Sequence, residues 1–404
     1  MLLSSCRKVY MNDTQRTVSP EETLARVERV LPAAGITRVA DITNLDRVGI
    51  PVFSSIRPTA GAGAVSVYNG KGATPAEAKV SAMMEGIERY SAELDSRTLL
   101  VSPYSRLCGG EISVLDPARL ILPAGSIPDA PIPWVTGYDL GAEEEILVPA
   151  SAVFHPLPRE YPQLFRTSTN GLASGNTREE AVFHALMEII ERDAWSLAEV
   201  TRDTGPQVGE IDDPLAGSLL EKFGAAGVEV TVKDITSDIG IPTIAAVSDD
   251  TLLQDPALLT IGMGTHTSAR IAVLRALTEV AQSRLTQIHG AREDTTVADI
   301  RKKMGYERTK RMNRYWFSSH ETRRFAEIPS FDTSDFLEDI DRARERLKEA
   351  GLPQVIVVDL TRESIGVPVV RVIVPGLEVF AMDRERIGRR CHEARDRHFS
   401  RSKP

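Results

Sequence analysis

The chain has 404 residues, of which 42% are hydrophobic and 26% charged, so it is long enough for one large or two ordinary domains with a sizeable core. A net charge of −9 argues against nucleic acid as a main partner, and no apolar run is long enough to span a membrane. The start of the chain lacks a signal-peptide pattern, and the three cysteines are too widely spaced for a zinc or iron–sulfur site. We therefore expect a cytoplasmic protein whose cysteines are structural or incidental thiols.

The first 60 residues are predicted to form a polar lead-in and a helix, ahead of the main domain over residues 61–404. Ser19 and Pro20 are typical of a helix start, and apolar residues at helical spacing follow them. Arg16 lies just before this helix.

A strand–turn–strand pattern then occurs three times along the chain. In each copy an Asp-x-Thr motif leads, after a short interval, into Gly-x-Pro with a β-rich run after it. We expect each proline to begin an outgoing strand or to lie at a sheet edge, because proline cannot donate to a strand ladder. The copies are residues 41–43 with 49–51, 234–236 with 240–242, and 359–361 with 366–368.

Two of these copies continue into a helix, which predicts a mixed α/β (α+β) fold with a repeated β-β-β-α unit. The first continues through a Gly-Lys-Gly turn, at residues 70–72, into a helix with several glutamates. This turn is not a P-loop, because no Ser or Thr follows Lys71, although its place before a helix allows contact with an anion. The second copy continues through residues 262–264 into a helix that carries Arg275 and Glu279.

The glutamate helix occurs twice, since residues 72–89 and 175–192 align without a gap. A single Glu-x-x-Glu-Arg motif usually marks a solvated helix face with an ion pair, but two long matching copies argue for a duplicated unit with a shared task. Each copy has a threonine at the predicted N-cap and a glutamate three residues later, which predicts a capping box. These pairs are Thr74 with Glu77 and Thr177 with Glu180.

The acidic face of each glutamate helix also carries small residues, so we expect it to be crowded. Glutamates at i and i+3 project side by side, and burying them together is costly unless cations or protons compensate their charge. Divalent cations with oxygen ligands are the simplest answer, and Mg²⁺ usually completes its shell with water and phosphate.

The remaining stretches give weaker signals. Arg275 and Glu279 alone would be a routine i,i+4 ion pair, but beside two glutamate helices they could add a phosphate contact and a metal ligand. Residues 291–335 are predicted to be a peripheral charged segment with a solvated face, residues 335–350 an amphipathic helix, and residues 384–404 a basic helix and tail. The histidines have no metal-binding spacing, and no serine elbow or recognisable cysteine–histidine pair supports nucleophilic triad chemistry.

Taken together, these motifs resemble the YcaO family over most of the chain. Three hallmarks occur in order: Ser-x₃-Glu-x₂-Glu-Arg, then Asn-x₃-Glu-x₇-Glu-x₂-Glu-Arg, then Arg-x₃-Glu. They are present as Ser81, Glu85, Glu88 and Arg89; as Asn176, Glu180, Glu188, Glu191 and Arg192; and as Arg275 and Glu279.

The resemblance implies a YcaO-type fold, commonly dimeric, in which the glutamate helices face one another across one nucleotide site. It also implies the ligands of that site. The residues expected to contact ATP are Arg16, Ser81, Asn176, Arg192 and Arg275. Those expected to hold Mg²⁺ are Glu85, Glu88, Glu180, Glu188, Glu191 and Glu279.

Members of this family use ATP to phosphorylate a peptide backbone amide after a nucleophile has added to its carbonyl. Azoline-forming members typically end in Pro-x-Pro-x-Pro and can carry a fused recognition domain, and this chain has neither feature. It is instead similar to archaeal stand-alone members, which use sulfide and a TfuA partner to install a thioglycine in the alpha subunit of methyl-coenzyme M reductase. We therefore expect peptide thioamidation.

Three other functions stay open. An amidine- or azoline-forming member, or an accessory to ribosomal-protein modification, would use the same ATP site. A non-catalytic ATP-binding scaffold is a second possibility, although a scaffold has no need of two sets of metal-binding glutamates. A plain two-metal hydrolase would usually show His or Asp ligands beside the glutamates.

Overall fold

The computed structural model describes residues 2–293, 296–318 and 321–401. Its helices are α1 (Pro20–Val27), α2 (Pro75–Ala92), α3 (Tyr104–Leu107), α4 (Arg178–Thr201), α5 (Pro214–Ala225), α6 (Ala269–His289), α7 (Thr296–Met304), α8 (Tyr306–Met312), α9 (Arg314–Phe317), α10 (Phe336–Glu349) and α11 (Arg389–Arg401). Its strands are β1 (Tyr10–Met11), β2 (Gln15–Arg16), β3 (Arg38–Asp41), β4 (Val52–Ile56), β5 (Val67–Lys71), β6 (Leu100–Ser102), β7 (Ser113–Val114), β8 (Ile132–Asp139), β9 (Glu144–Pro149), β10 (Leu172–Ser174), β11 (Gln207–Gly209), β12 (Val228–Asp234), β13 (Thr243–Asp250), β14 (Ile261–Thr265), β15 (Thr322–Arg324), β16 (Ile356–Asp359) and β17 (Val369–Ile373).

Each of the three larger sheets packs against one of three long helices. Strands β3, β4 and β5 form a three-stranded sheet under α2. A five-stranded sheet in the order β14-β13-β12-β11-β15 packs on α6, and a seven-stranded sheet begins β10-β17-β16-β8 and packs on α4. The mixed α/β fold is therefore confirmed, and so are the β-β-β-α units, which are β3-β4-β5-α2 and β12-β13-β14-α6.

The three Asp-x-Thr and Gly-x-Pro repeats form the same turn. In each copy the aspartate carboxylate accepts a hydrogen bond from the threonine N–H, at 2.9–3.1 Å. The threonine hydroxyl accepts from the N–H of the residue after the proline, at 3.1–3.2 Å, and the glycine has a positive φ of 67–73°. That residue begins β4, β13 or β17, so the predicted outgoing strand is confirmed in every copy.

Two strand glycines let the helices lie directly on their sheets. A Cβ atom at Gly70 of β5 would lie 1.9 Å from the backbone N of Ala82 in α2. A Cβ atom at Gly264 of β14 would lie 2.1 Å from the backbone O of Ala272 in α6. Neither contact tolerates a side chain, so these glycines set the close approach that the small residues of the helix faces suggested.

The N-terminal residues and the charged segment are part of the packed structure. The predicted boundary at residue 60 falls between β4 and β5, which pair in one sheet. Within residues 291–335 the chain forms α7, α8, α9 and β15, and Trp316 there is 1% exposed. Residues 294, 295, 319 and 320 of that segment, and 402–404 of the predicted tail, lie outside the described residues. Over the described ranges, no helix has the length and apolar character needed to cross a membrane.

Candidate functional site

The three site helices α2, α4 and α6 carry a glutamate at the same distance from their N-termini. Glu85, Glu188 and Glu279 each lie eleven residues after the N-cap of their helix. Eleven residues span three turns, or about 16 Å of helix. The three glutamates therefore occupy equivalent positions along their own helices.

In α2 one glutamate is held by its own helix and the other by a neighbouring strand. Arg89 Nη2 lies 3.1 Å from Glu85 Oε1. Glu88 Oε2 accepts hydrogen bonds from the N–H of Ser174, at 3.0 Å, and from its hydroxyl, at 3.3 Å. Burial raises the pKa of Glu88 to about 8, and the nearby carboxylates of Glu85 and Glu188 also raise it, while Arg89 and the Ser174 N–H oppose the shift.

In α4 a single guanidinium serves both glutamates. Arg192 Nη2 lies 3.6 Å from Glu188 Oε1, and Arg192 Nη1 lies 3.6 Å from Glu191 Oε1. The same guanidinium lies over the ring of Trp195, 5.4 Å from its centroid. Burial raises the pKa of Glu188 and of Glu191, and the charge of Arg192 opposes the shift in both cases.

In α6 the glutamate pairs with a lysine from β5. The Lys71 ammonium contacts the Glu279 carboxylate. Burial disfavours the charge of Glu279, but Lys71 and Arg192 outweigh burial and lower its pKa. Glu279 is therefore held ionised by cations from two other elements.

These electrostatic contacts join the three helices into one site. Glu188 of α4 raises the pKa of Glu88 in α2, and Arg192 of α4 lowers that of Glu279 in α6. Arg275 of α6 in turn lowers the pKa of Arg16, although burial of Arg16 is the larger cause. The packing agrees with this, because β10 contacts both α2 and α4, and β5 contacts both α2 and α6.

The cations of this site fit an anionic ligand. Among the described residues, four of its arginines each have a buried nitrogen without a hydrogen-bond partner: Arg16 Nη1, Arg89 Nε, Arg192 Nε and Arg275 Nε. A buried donor without an acceptor is costly, and a guanidinium matches the oxygens of phosphate. The site would therefore gain hydrogen bonds from a bound polyphosphate.

The carboxylates fit Mg²⁺ in kind, but they are paired with cations in this conformation. No three Asp, Glu, His or Cys side chains of the described residues converge closely enough to ligate one ion. The glutamates instead contact Arg89, Arg192 and Lys71. Mg²⁺ is usually held by one or two carboxylates together with water and phosphate oxygens, so a cluster of three carboxylates is not needed. Binding Mg²⁺ with a nucleotide requires only that the glutamates exchange their ion pairs with arginine and lysine for contacts with the metal.

The remaining predicted site residues lie around the start of α4 and in α2. Glu180 Oε2 accepts hydrogen bonds from the N–H of Thr17, at 2.9 Å, and from its hydroxyl, at 2.8 Å. Asn176 Nδ2 donates to Glu180 Oε1 at 3.2 Å, and Arg16 Nε lies 3.8 Å from the same oxygen. Ser81 is half-buried in α2, one turn before Glu85. The roles of these residues toward ATP or Mg²⁺ stay predictions.

The contacts of Glu180 correct one detail of the predicted capping. In α2 the capping box is complete, since Thr74 and Glu77 each accept a hydrogen bond from the other's N–H. In α4, Thr177 accepts from the Glu180 N–H at 3.2 Å, but the Glu180 carboxylate bonds to Thr17. The second half of that box is replaced because the N-terminal segment occupies the carboxylate.

Sequence reasoning missed three residues of the site. The sequence places Lys71 in the Gly-Lys-Gly turn and gives no sign that Ser174 contacts a glutamate helix. Arg371 in β17 is 1% exposed and donates to the backbone oxygens of Val153, Ser168 and Asn170, at 2.5–2.9 Å. Burial lowers its pKa to about 10, and the charge of Glu188 opposes this. A lone arginine inside an apolar strand was the available signal.

The family comparison agrees with this site. A model described as YcaO cyclodehydratase, ATP- and Mg²⁺-binding, matches residues 69–378. The chain belongs to the YcaO family. ATP and Mg²⁺ are accordingly its cofactors, and the matched range contains α2, α4 and α6.

Two relatives match this YcaO chain over most of their own length. An uncharacterized protein of Methanothermobacter thermautotrophicus is 54% identical over 386 residues, which cover 94% of this chain and 99% of that protein. A protein in the tfuA 3′ region of Rhizobium leguminosarum bv. trifolii is 33% identical over 375 residues, covering 90% of this chain and 89% of that protein.

Solved structures support the same assignment. YcaO from Methanopyrus kandleri, bound with AMPPCP and Mg²⁺, matches with a TM-score of 0.81 and 32% identity, covering 95% of this chain and 98% of that one. A heterocyclase in complex with substrate and cofactor matches with a TM-score of 0.79 and 24% identity, covering 94% of this chain and 55% of that one. The second match supports the fold alone.

Proposed function

We propose that this YcaO protein is an ATP-dependent peptide thioamide synthetase. In the proposed reaction, sulfide adds to a backbone amide carbonyl, the resulting oxyanion takes the γ-phosphoryl group of ATP, and phosphate then leaves. The observation that carries the ATP-dependent part is the single site on α2, α4 and α6, in which half-buried glutamates pair with arginines that each keep a buried nitrogen without a hydrogen-bond partner.

The proposed reaction balances. The carbon–sulfur bond forms as HS⁻ adds to the carbonyl carbon, and the terminal phosphoryl group moves from ADP oxygen to the carbonyl oxygen. The carbon–oxygen bond then breaks, the sulfhydryl proton is lost, and C=S forms. The products are the thioamide, ADP and phosphate, whose extra oxygen comes from the amide, and no redox step is needed.

Each residue class of the site has a proposed role in this chemistry. Glu85, Glu88, Glu188, Glu191 and Glu279 would hold Mg²⁺, which offsets the charge of the triphosphate when bound. The residues proposed to contact the nucleotide are Arg16, Ser81, Asn176, Arg192 and Arg275. Phosphoryl transfer depends more on positioning and charge neutralisation than on covalent chemistry. Residues that bind Mg²⁺ and the phosphates are therefore the types of residue that this reaction needs.

Glu180 is proposed as a further Mg²⁺ ligand, as its motif position suggests. In the structure its carboxylate is engaged by Thr17 and Asn176. Ligation of a metal by Glu180 would therefore require these hydrogen bonds to exchange.

Two observations favour an external sulfur nucleophile over cyclisation of a substrate side chain. A relative that covers most of this chain lies in a tfuA 3′ region, which suggests a TfuA-like partner for sulfur delivery or peptide recognition. The YcaO structure from Methanopyrus kandleri matches over almost its whole length, so this chain shares its architecture over that range. We extend the proposal to a glycine of the methyl-coenzyme M reductase alpha subunit as substrate, and to a homodimer as the working form.

The test is a reconstituted reaction followed by mass spectrometry. A glycine-containing peptide from the proposed substrate is incubated with the protein, ATP, Mg²⁺, sulfide and a TfuA-like partner, and each component is omitted in turn. We expect a product about 16 Da heavier, from one exchange of oxygen for sulfur, that requires ATP and is absent with Glu188→Gln.

The family model's description as a cyclodehydratase favours one other outcome. Loss of one water from a peptide that contains Cys, Ser or Thr, without sulfur uptake, would identify azoline formation and overturn the thioamide proposal. ATP consumption without any change in peptide mass would overturn both.

A further inference from the structure

The first residues of the chain cross the beginnings of all three site helices. We call residues 4–17 the N-terminal strap. On α4, Ser4 N donates to Glu179 Oε1 at 3.0 Å and Thr17 donates to Glu180. On α2, the Tyr10 hydroxyl donates to Glu77. On α6, a nitrogen of Arg270 donates to the backbone oxygen of Asn12.

The strap presents Arg16 to the nucleotide site through a very short hairpin. Strands β1 and β2 have two residues each, and Tyr10 is the direct cross-strand partner of Arg16. Directly opposed residues of an antiparallel pair project to the same face. A two-stranded hairpin of this length is not stable alone, so the direction of Arg16 depends on what anchors the strap.

The base of the hairpin is firmly held. Lys8 is 3% exposed, and its ammonium donates to Asp339 Oδ2 and to Gln15 Oε1, each at 2.6 Å. These contacts fix the residues next to Tyr10 and Arg16 but do not touch the two side chains. The guanidinium of Arg16 keeps a loose contact with Glu180 at 3.8 Å and a buried Nη1 without a partner among the described residues.

The tip of the hairpin is held by a small polar cluster on α2. Besides its bond to Glu77, the Tyr10 hydroxyl lies 3.4 Å from Asp13 Oδ1, and Asp13 Oδ2 accepts from the Ala73 N–H at 3.3 Å. Asp13 and Glu77 are 9% and 7% exposed. Tyr10, Asp13 and Arg16 all face Glu77 from the strap.

The charge state of this cluster is consistent with a held strap. The pKa of Glu77 is raised to about 7, mainly by burial and in part by the neighbouring Asp13, while the bond from Tyr10 opposes the shift. Burial and the bond to Glu77 raise the pKa of Tyr10, which keeps its hydroxyl a donor.

We infer that Tyr10, Asp13 and Glu77 form a latch that fixes the hairpin and so points Arg16 into the ATP site. The three are positioning residues, since they are inferred to act through Arg16. The inference rests on the proposed role of Arg16 and on ATP binding, and it is independent of the peptide and of the sulfur donor.

The test is a double-mutant cycle on nucleotide binding. Calorimetry gives the Kd of AMPPCP with Mg²⁺ for the wild type, Tyr10→Phe, Arg16→Ala and the double variant. Tyr10→Phe removes one hydrogen bond to an acidic group and should raise the Kd roughly tenfold. In the Arg16→Ala background the same change should have almost no further effect, because the latch has nothing left to position.

Two controls separate this role from general destabilisation. Tyr306 also donates a hydrogen bond to a carboxylate, Asp249 Oδ1 at 2.6 Å, but it lies in α8 and not in the strap. Tyr306→Phe should therefore leave the Kd unchanged. Hydrogen exchange in the nucleotide-free protein should become faster at residues 10–16 in Tyr10→Phe, with little change in the midpoint of thermal unfolding. If Tyr10→Phe folds poorly, Asp13→Asn replaces it in the cycle.

The inference is overturned by additive effects of the two substitutions, by an unchanged Kd in Tyr10→Phe, or by wild-type binding in Arg16→Ala. None of these results depends on whether the peptide product is a thioamide, because AMPPCP binding is measured without peptide or sulfide. Conversely, a failed thioamidation assay leaves the cycle interpretable.

Discussion

Helices α2 and α4 are copies in sequence, yet they hold their glutamates differently. In α2, Glu85 pairs with its own Arg89 and Glu88 takes two hydrogen bonds from Ser174. In α4, Glu188 and Glu191 share the guanidinium of Arg192, with both N–O distances at 3.6 Å. The acidic motif is thus duplicated, while the groups that restrain it come from different parts of the fold.

The difference suggests that the two helices differ in how rigidly they hold their glutamates. Hydrogen bonds from Ser174 fix Glu88 in one orientation, whereas the looser ion pairs of α4 can exchange when another cation arrives. We therefore expect α2 to provide the more rigid wall of the site and α4 the side that rearranges when Mg²⁺ and ATP bind.

The largest expected effect comes from neutralising one carboxylate in each copy. Glu85→Gln and Glu188→Gln keep the side-chain shape but remove the charge that is proposed to bind Mg²⁺, so each should lower ATP turnover on the order of 100-fold, or about 3 kcal/mol. Turnover at limiting Mg²⁺ is the measurement, and Glu221→Gln, at an exposed position of α5, is the matched control. Wild-type turnover in either site variant would mean that the two copies do not share one task.

Replacing the arginine of each glutamate helix with lysine should lower ATP turnover to different extents in the two copies. Arg192→Lys should lower ATP turnover roughly tenfold, because an ammonium cannot serve Glu188 and Glu191 in the same geometry or lie over Trp195 as a guanidinium does. Arg89→Lys should cost less, since its contact with Glu85 at 3.1 Å is one that a lysine can make. Near-native turnover in Arg192→Lys would reduce its role to that of a helix ion pair.

The pH dependence of Mg²⁺ binding should report the raised pKa of Glu88. A carboxyl group whose pKa is raised by burial is protonated below that value, and a metal must displace the proton to bind. The affinity for Mg²⁺ with AMPPCP should therefore fall as the pH is lowered from about 8, by at most tenfold per unit for this group. Glu88→Gln should remove that dependence, and a wild-type affinity that is flat between pH 6 and 8 would contradict the assignment.

Without metal, the same shift gives the opposite trend in stability. The pKa of Glu88 is higher in the folded protein than its ordinary value, so folding favours the protonated form. The contribution of Glu88 to the free energy of unfolding is most favourable at low pH and declines as the pH rises from the ordinary glutamate range to about 8. Chemical denaturation of wild type and Glu88→Gln across this window would measure the difference.

The smallest expected effect concerns the restraint on α2. Ser174→Ala removes the hydroxyl bond to Glu88 at 3.3 Å but keeps the backbone N–H bond at 3.0 Å. One lost hydrogen bond should weaken Mg²⁺-dependent AMPPCP binding by about fivefold. A larger loss than that of Glu88→Gln would show that Ser174 acts elsewhere than on this carboxylate.

Local sequence patterns predicted the glutamate helices and the repeated turns correctly. The gapless duplication and the N-cap threonines predicted α2 and α4, and the Asp-x-Thr and Gly-x-Pro motifs predicted three turns that share their hydrogen bonds. These features depend on contacts within about ten residues, where spacing alone determines which groups can meet. The acidic residues of α2, α4 and α6 were identified for the same reason.

The partners of those acidic residues could not be predicted from local patterns. Ser174 reaches Glu88 across 86 residues, and Lys71 reaches Glu279 across 208. Such contacts depend on how the sheets pack. The N-terminal strap could not be predicted because strands of two residues show no periodicity in the sequence. For the same reason, the sequence did not predict that Thr17 of the strap would bind the Glu180 carboxylate and replace half of the second capping box.

We propose that α2, α4 and α6 share one Mg²⁺-nucleotide site. This can be tested with a crystal structure of the protein with AMPPCP and Mn²⁺, in which anomalous scattering locates the metal. We predict Mn²⁺ peaks with ligands from both Glu85 or Glu88 and Glu188, Glu191 or Glu279, and phosphate oxygens at Arg192 and Arg275. Mn²⁺ bound away from these glutamates, or a nucleotide contacting one helix alone, would contradict the account.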